Sequence, residues 1–227
     1  MKILKINTPF DGFEKAKELL YKNCDSQTVL FLSGGSTPKV LYETLENEKK
    51  LKVGAVATVD ERYGEKLHEN SNELMIKGTG FLNYLENQNT HFYSILESKD
   101  IETTTKDYEG VVQSLLKDYK QRIAILGIGS DGHIAGLPAG ISNFQFPISN
   151  DLVINIQNFP GEFKQRITLT FKALEQMDTL IVIVLGEEKK NALELMLTSG
   201  SIEEIPARFF NKKEVTDKTI LITDQKT

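Results

Sequence analysis

Residues Ile123–His133 read IAILGIGSDGH, and this stretch decides how the rest of the chain is read. An apolar run, Ile123–Leu126, empties directly into glycines at 127, 129 and 132, which deliver Asp131 and His133 two residues apart. A short apolar run bounded by glycines is the pattern of a buried strand followed by a tight turn, because glycine tolerates the dihedrals such an exit needs. Open α/β sheets bind ligands outside the carboxyl ends of their strands. The spacing therefore predicts an acid and an imidazole at that edge. The chain has only three histidines, so one placed in this way is a candidate for chemistry.

The same pattern recurs on both sides of this stretch. Thr28–Leu32 (TVLFL) is a compact strand that runs into Ser33–Pro38 (SGGSTP) and then a helical segment carrying Val40, Leu41, Thr44 and Leu45. Val53–Val59 is another short strand and ends in Asp60-Glu61-Arg62. Leu180–Leu185 reads as a fully buried strand, followed by an amphipathic helix from Glu187 to Leu197. Met1–Ile6 is an expected edge strand, and Phe92–Ile95, Leu152–Ile156, Arg166–Thr170 and Thr219–Ile222 complete the set. Helical spacing relates Phe13, Ala16, Leu19 and Leu20, and a longer helix is expected over Thr103–Tyr119 with Tyr108, Val111, Val112 and Leu115 on its apolar stripe. Lys49–Lys52 and Glu97–Thr105 read as solvated loops. Strands that alternate with helices predict an α/β fold with a mainly parallel sheet flanked by helices. No repeat or linker breaks the pattern, and one domain over residues 1–227 is expected.

Composition excludes several classes. The chain is long enough, at 227 residues, to bury a sizeable core. Its 27 Lys and Arg against 32 Asp and Glu give a net charge of −5, which excludes general affinity for nucleic acid. An anionic ligand must then be held by a few placed cations. Cys24 stands alone, so there is no disulfide framework and a reducing compartment is expected, with the thiol a small core residue. The N-terminus lacks the apolar core of a signal peptide, and Leu180–Leu185 is too short to cross a bilayer. A cytoplasmic protein with no membrane or nucleic-acid partner is the expectation.

The segment SGGSTPK places two glycines after a strand, where backbone N–H groups can approach an anion closely. Thr37 before Pro38 reads as a helix start, with the threonine oxygen as cap and the proline in the first turn. Ser33, Gly34, Gly35, Ser36 and Thr37 together would form a phosphate site at a helix N-terminus. The spacing is not that of a nucleotide P-loop, and the S-x-x-K match at Ser36–Lys39 is too loose to name a serine nucleophile. Gly127-x-Gly129-x-x-Gly132 matches a dinucleotide fingerprint, but the sequel HIAGLPAG cannot hold the long helix that binding mode needs. No nicotinamide cofactor is expected. Asp131 and His133 suit acid–base work at neutral pH, and no second histidine or cysteine lies at metal-ligand spacing. Asp60 and Arg62 are charges at a strand end, and Arg166 and Lys189 are likewise cations at sheet edges, available for phosphate oxygens.

Taken in order, SGGSTP (33–38), DERYGEKLHENSN (60–72), GIGSDGH (127–133), RITLT (166–170) and GEEK (186–189) are identifiable together. The chain resembles the 6-phosphogluconolactonases, within a superfamily that also holds glucosamine-6-phosphate deaminases. That resemblance implies an open, Rossmann-like three-layer sandwich and hydrolysis of 6-phospho-D-glucono-1,5-lactone. It implies that the Ser33–Thr37 loop, Arg166 and Lys189 hold the phosphate, with Asp60 and Arg62 on the substrate side and Arg62 near the oxyanion. His133 would activate water, and Asp131 would orient the imidazole or hold a sugar hydroxyl. No metal or organic cofactor is implied, and a monomer or small homo-oligomer is expected. Two other readings stay open. Deaminases resemble DGHIAFNEP with a catalytic acid in its last part, whereas this chain reads DGHIAGLPAG with no acid after His133 until Asp151. Lactonases usually read DGHTASLFP, so Ile134 and Gly136–Ala139 depart from both. A non-catalytic sugar-phosphate sensor shares the architecture but normally carries a DNA-binding segment ahead of it, and here the first expected strand begins at Met1.

Overall fold

A strand buried on both faces reads as a continuous apolar run, and TVLFL is buried along its whole length as β2 (Thr28–Leu32). In the computed structural model, which describes residues 1–140 and 150–225, it pairs with β3 (Ala55–Thr58) on one side and β6 (Gln121–Leu126) on the other. Together with β1 (Lys2–Lys5), β5 (His91–Tyr93), β9 (Thr179–Val184) and β10 (Thr219–Thr223) they form a parallel seven-stranded sheet of order β1-β10-β9-β6-β2-β3-β5.

Because side chains alternate along a strand, the two faces of this sheet feed two separate cores. Leu30, Leu32, Ile123, Ile125, Ile181 and Ile183 pack with Ala16 and Leu20 of α1 (Pro9–Asn23), Leu41, Tyr42 and Leu45 of α2 (Ser36–Glu48), and Phe81 and Leu85 of α4 (Phe81–Glu86). Val29, Phe31, Ala124, Leu126, Val182 and Val184 pack on the opposite face with Tyr108, Val112 and Leu115 of α5 (Ile101–Asp118) and Leu193 and Met196 of α7 (Lys190–Leu197). This is the parallel sheet flanked by helices expected from the alternation, in the three-layer form that the resemblance implies. Helix starts are encoded locally. Thr8 and Asp11 form a reciprocal capping box ahead of Pro9 in α1, and the Asp100 side chain accepts from the Thr103 N–H at the start of α5.

Several expectations are corrected. Asp60-Glu61-Arg62 is not the end of the Val53–Val59 strand but a strand of its own, β4 (Asp60–Arg62). It joins β8 (Arg166–Leu169) and β7 (Val153–Ile156) in a separate antiparallel sheet, so these last two do not extend the parallel one. Val59 makes the switch: its N–H donates to Leu32 O in the large sheet, and its carbonyl accepts from the Leu169 N–H. The expected loop Glu97–Thr105 is helical from Ile101 onward, and Leu51 within Lys49–Lys52 is buried. The helix expected from Glu187 opens instead as a 3-10 turn over Glu187–Lys189, and α7 begins at Lys190. Helix α3 (Asn72–Gly78), α4, and the four-residue helices α6 (Phe171–Leu174) and α8 (Lys213–Thr216) are too short to announce themselves by period. Among the described residues no helix is long and apolar enough to cross a membrane.

The end of β3 is fastened from the helical layer. The buried Tyr108 hydroxyl donates to Thr58 O and accepts from the Thr58 N–H. Tyr108→Phe removes both bonds just before the chain changes sheets. Urea unfolding of that variant is expected to show stability lower by about 1–3 kcal/mol.

Candidate active site

The strand order sets the position of the site. From β2 the chain goes on through α2 to β3 on one flank, while the strand that follows β6 in the large sheet, β9, lies on the other. Their loops diverge and leave a crevice at the carboxyl edge. It is a cavity of about 350 Å³, lined by ten of the residues singled out from sequence: Ser33, Gly34, Gly35, Ser36, Thr37, Asp60, Arg62, His133, Arg166 and Lys189. Asp131 is not in the lining. It stands behind His133.

On the β2 side the helix start differs from the one expected. Thr37 is not the cap. Gly35 takes that position at φ 107°, and no side chain bonds to the first turn. Only glycine enters that region without strain. Thr37 and Pro38 thus lie inside the first turn. The N–H groups of Ser36 and Thr37, orphaned by helix geometry, belong to residues that line the cavity. Ser33 has a different task. Its hydroxyl donates to Ile125 O at 2.7 Å and its carbonyl accepts from the Tyr42 hydroxyl at 2.8 Å, which ties the end of β2 to β6.

On the β6 side the glycine turn closes on itself. Gly129 N–H donates to His133 O and Gly132 N–H to Gly129 O, both at 2.9 Å. Asp131 Oδ1 accepts from the His133 N–H at 3.2 Å and lies 2.6 Å from His133 Nδ1. The hydrogen bond to His133 holds the Asp131 carboxyl down at about 2, against the opposing effect of burial. An ionised carboxylate only accepts, so Nδ1 carries a proton, and in the ring's neutral form the lone pair is on Nε2. That nitrogen has no partner among the described residues, and the side chain is 31% exposed. Gly129 is required by close approach: a Cβ there would lie 2.0 Å from the ring of His133.

The cations arrive from the second sheet and from β9. The β4–β8 register sets Arg62 directly opposite Arg166, a like-charge pair that destabilises a sheet unless something relieves it. Arg166 is buried, with Asp60 Oδ2 at 3.6 Å from Nη1. Burial, and then the charge of Arg62, pull its pKa down, while Asp60 works the other way. The Nε atoms of both arginines are buried without a hydrogen-bond partner among the described residues. Arg62 Nη1 donates to Asn70 O at 2.7 Å, and Lys189 Nζ to Ile128 O at 2.9 Å.

Several residues here are given no role by the sequence, although Glu61 and Asn72 lie within the DERYGEKLHENSN segment. Asn72 lines the cavity, and its Nδ2 donates to Asp60 O at 2.8 Å. Glu61 is buried and accepts N–H bonds from Arg62, Asn72 and Glu73 at 2.7, 2.6 and 2.9 Å. Burial pushes its carboxyl up to about 7 although those donors pull it down. Phe159 and Phe163, from the connection between β7 and β8, stack on Arg166 and Arg62. Among the described residues, no three of His, Cys, Asp and Glu are placed to hold a metal ion. Burial pushes the Cys24 thiol up to about 12, which leaves it unreactive at neutral pH. The cavity thus combines an anion-receptive helix start, three cations and one imidazole able to accept a proton.

Gly129→Ala tests the imidazole's placement directly. Its methyl group would force the ring away from Asp131. Proton NMR is expected to lose the hydrogen-bonded Nδ1 proton resonance while the protein still unfolds cooperatively in urea.

Residues 13–221 match the family model described as glucosamine-6-phosphate isomerases/6-phosphogluconolactonase. A probable 6-phosphogluconolactonase 2 of Oryza sativa subsp. indica is 28% identical over 153 residues, 63% of this chain and 54% of the rice protein. The match thus spans about half the length of that relative. A 6-phosphogluconolactonase of Thermotoga maritima is 30% identical over 210 residues, 89% of each chain. The solved 6-phosphogluconolactonase of Plasmodium vivax has the same fold, with a TM-score of 0.80 at 22% identity over 99% of this chain and 91% of that one. With a match that runs from α1 into β10, through the glycine turns and the strands between them, the chain belongs to the glucosamine-6-phosphate isomerase/6-phosphogluconolactonase family.

Proposed function

We propose that this chain, acting as one domain over residues 1–227, hydrolyses 6-phospho-D-glucono-1,5-lactone to 6-phosphogluconate. The observation that carries this reading is the pairing inside one cavity. An imidazole, with Nδ1 tied to Asp131 and Nε2 unpartnered among the described residues, shares that cavity with a helix start and three cations. The N–H groups of the Ser33–Thr37 loop, with Arg166 and Lys189, bind the phosphate. That remote grip positions the reacting carbonyl without altering its chemistry.

His133 Nε2 takes a proton from a water molecule as the water oxygen bonds to C1 of the lactone. The carbonyl electrons move onto oxygen, where Arg62 meets the developing negative charge. Collapse breaks the bond between C1 and the ring oxygen, and the imidazolium returns its proton to that oxygen. Asp131 keeps the ring in the tautomer this cycle requires, as an ionised carboxylate at Nδ1 does. The family also includes isomerases that act on glucosamine 6-phosphate, and the absence of any acidic residue between His133 and Asp151 supports the lactonase reading over theirs. A lone cysteine suits a cytoplasmic setting.

Lactone hydrolysis, corrected for the uncatalysed rate, should be measured beside ammonia release from glucosamine 6-phosphate. Wild-type protein is expected to accelerate the first and not the second. His133→Ala and His133→Gln are each expected to lower turnover about 100-fold or more. Unchanged kcat in either variant removes His133 from the role of base, and ammonia release in place of hydrolysis overturns the assignment.

A further inference from the structure

We propose that Phe159 is a positioning residue that holds the anion-binding Arg166 and the imidazole of His133 in one stack, and that Phe163 supports Arg62 in the same manner. The proposal rests on the reading of this cavity as an anion site. It starts from an electrostatic problem. Arg62 and Arg166 face each other across β4 and β8, and the carboxylate beside Arg166 is no nearer than 3.6 Å. Neither Nε has a hydrogen-bond partner among the described residues. Each guanidinium instead lies over an aromatic ring: Arg166 Cζ is 4.3 Å from the centroid of Phe159, and Arg62 Cζ is 5.3 Å from that of Phe163.

A ring face attracts a cation through its quadrupole and accepts none of its N–H bonds in the guanidinium plane. A carboxylate in the same place would compete with an incoming anion for those donors. The two phenylalanines therefore hold the arginines in place and leave their N–H forks for a ligand. Both come from residues 157–165, a connection closed by the Phe159 N–H bond to Lys164 O at 2.8 Å. It is joined to the end of β4 by the Tyr63 N–H bond to Gln165 O at 3.0 Å.

Phe159 has a second neighbour. It is 3% exposed and meets the imidazole of His133 with ring centroids 5.4 Å apart and planes at 88°. A T-shaped aromatic contact has a preferred geometry, so the ring that carries Arg166 also constrains the ring that carries Nε2. Grip on the anion and aim of the base share one side chain.

The test compares Phe159→Leu, which keeps apolar bulk without a π face, with Phe159→Tyr, which keeps the face. Binding of inorganic phosphate is read by calorimetry, and the ring-proton shifts of His133 by NMR. Phe159→Leu is expected to weaken phosphate about 5- to 30-fold, the ~1–2 kcal/mol of a partly desolvated cation–π contact, and to remove the ring-current shift from His133. Phe159→Tyr is expected to preserve both. In lactone hydrolysis the leucine variant should raise KM and lower kcat together. Wild-type phosphate affinity in Phe159→Leu overturns the proposal, and so does equal damage from Phe159→Tyr, which would reduce the ring to packing. Phe163 is only half-buried, so Phe163→Leu serves if Phe159→Leu does not fold. Weaker phosphate binding with unmoved His133 shifts supports the proposal, and unchanged binding overturns it. Neither main readout needs turnover, so a wild-type protein inert toward the lactone would retire the proposed reaction and leave this stack to be judged on binding alone.

Discussion

β2 and β6 lie side by side and end at the same edge of the sheet, while their neighbours in it, β3 and β9, lie on opposite flanks. The gap that this order leaves between their carboxyl ends is the constraint on which the site depends. The hydroxyl of Ser33 draws the two strand ends together from below through Ile125 O. Above that bond the two glycine loops diverge. Val59 then turns the chain out of the large sheet, and the small antiparallel sheet rises as a wall on the open side.

Walls of this kind carry an electrostatic cost. Opposed arginines in a buried strand pair repel one another, and each loses hydration on leaving water. The chain as a whole is acidic, with a net charge of −5, so the local positive field is a placed feature and not a general property of the surface. Asp60 offsets part of it from 3.6 Å, and the two phenylalanine faces offset a further part. An anion between the arginines would relieve the remainder, which is why such a pair is tolerated at a binding site and rarely elsewhere.

The glycine turn after β6 is held by the last third of the chain. Ile128 O accepts from Lys189 Nζ, Ser130 O from Asn191 Nδ2, and Gly132 O from the Ala207 N–H. Alternate carbonyls of the turn are thus clamped while its acidic and imidazole side chains face each other at 2.6 Å. A turn rich in glycine would otherwise sample many conformations. Here the flexibility serves close approach, with the ring of His133 pressed over Gly129, and packing removes the freedom.

Much of this was legible before any coordinates. The apolar runs Thr28–Leu32, Leu180–Leu185 and Ile123–Leu126 marked strands buried on both faces, and the glycines after two of them marked loops near a ligand. Asp131, His133 and the residues of SGGST were identifiable because turn chemistry and a scarcity of histidine are local facts. The capping role given to Thr37 was wrong by two residues, since a left-handed glycine can start a helix without any side-chain cap. Phe159 and Phe163 gave no warning, because a ring in a short connection has no period to betray what it stacks on. Which strands are buried, where turns interrupt them and which reactive groups those turns carry follow from neighbours along the chain, and so can be read without the fold. That Asp60–Arg62 joins a second sheet and that Arg62 meets Arg166 emerge only once the chain is folded. Those outcomes depend on pairing between segments far apart in the chain, and no local pattern encodes it.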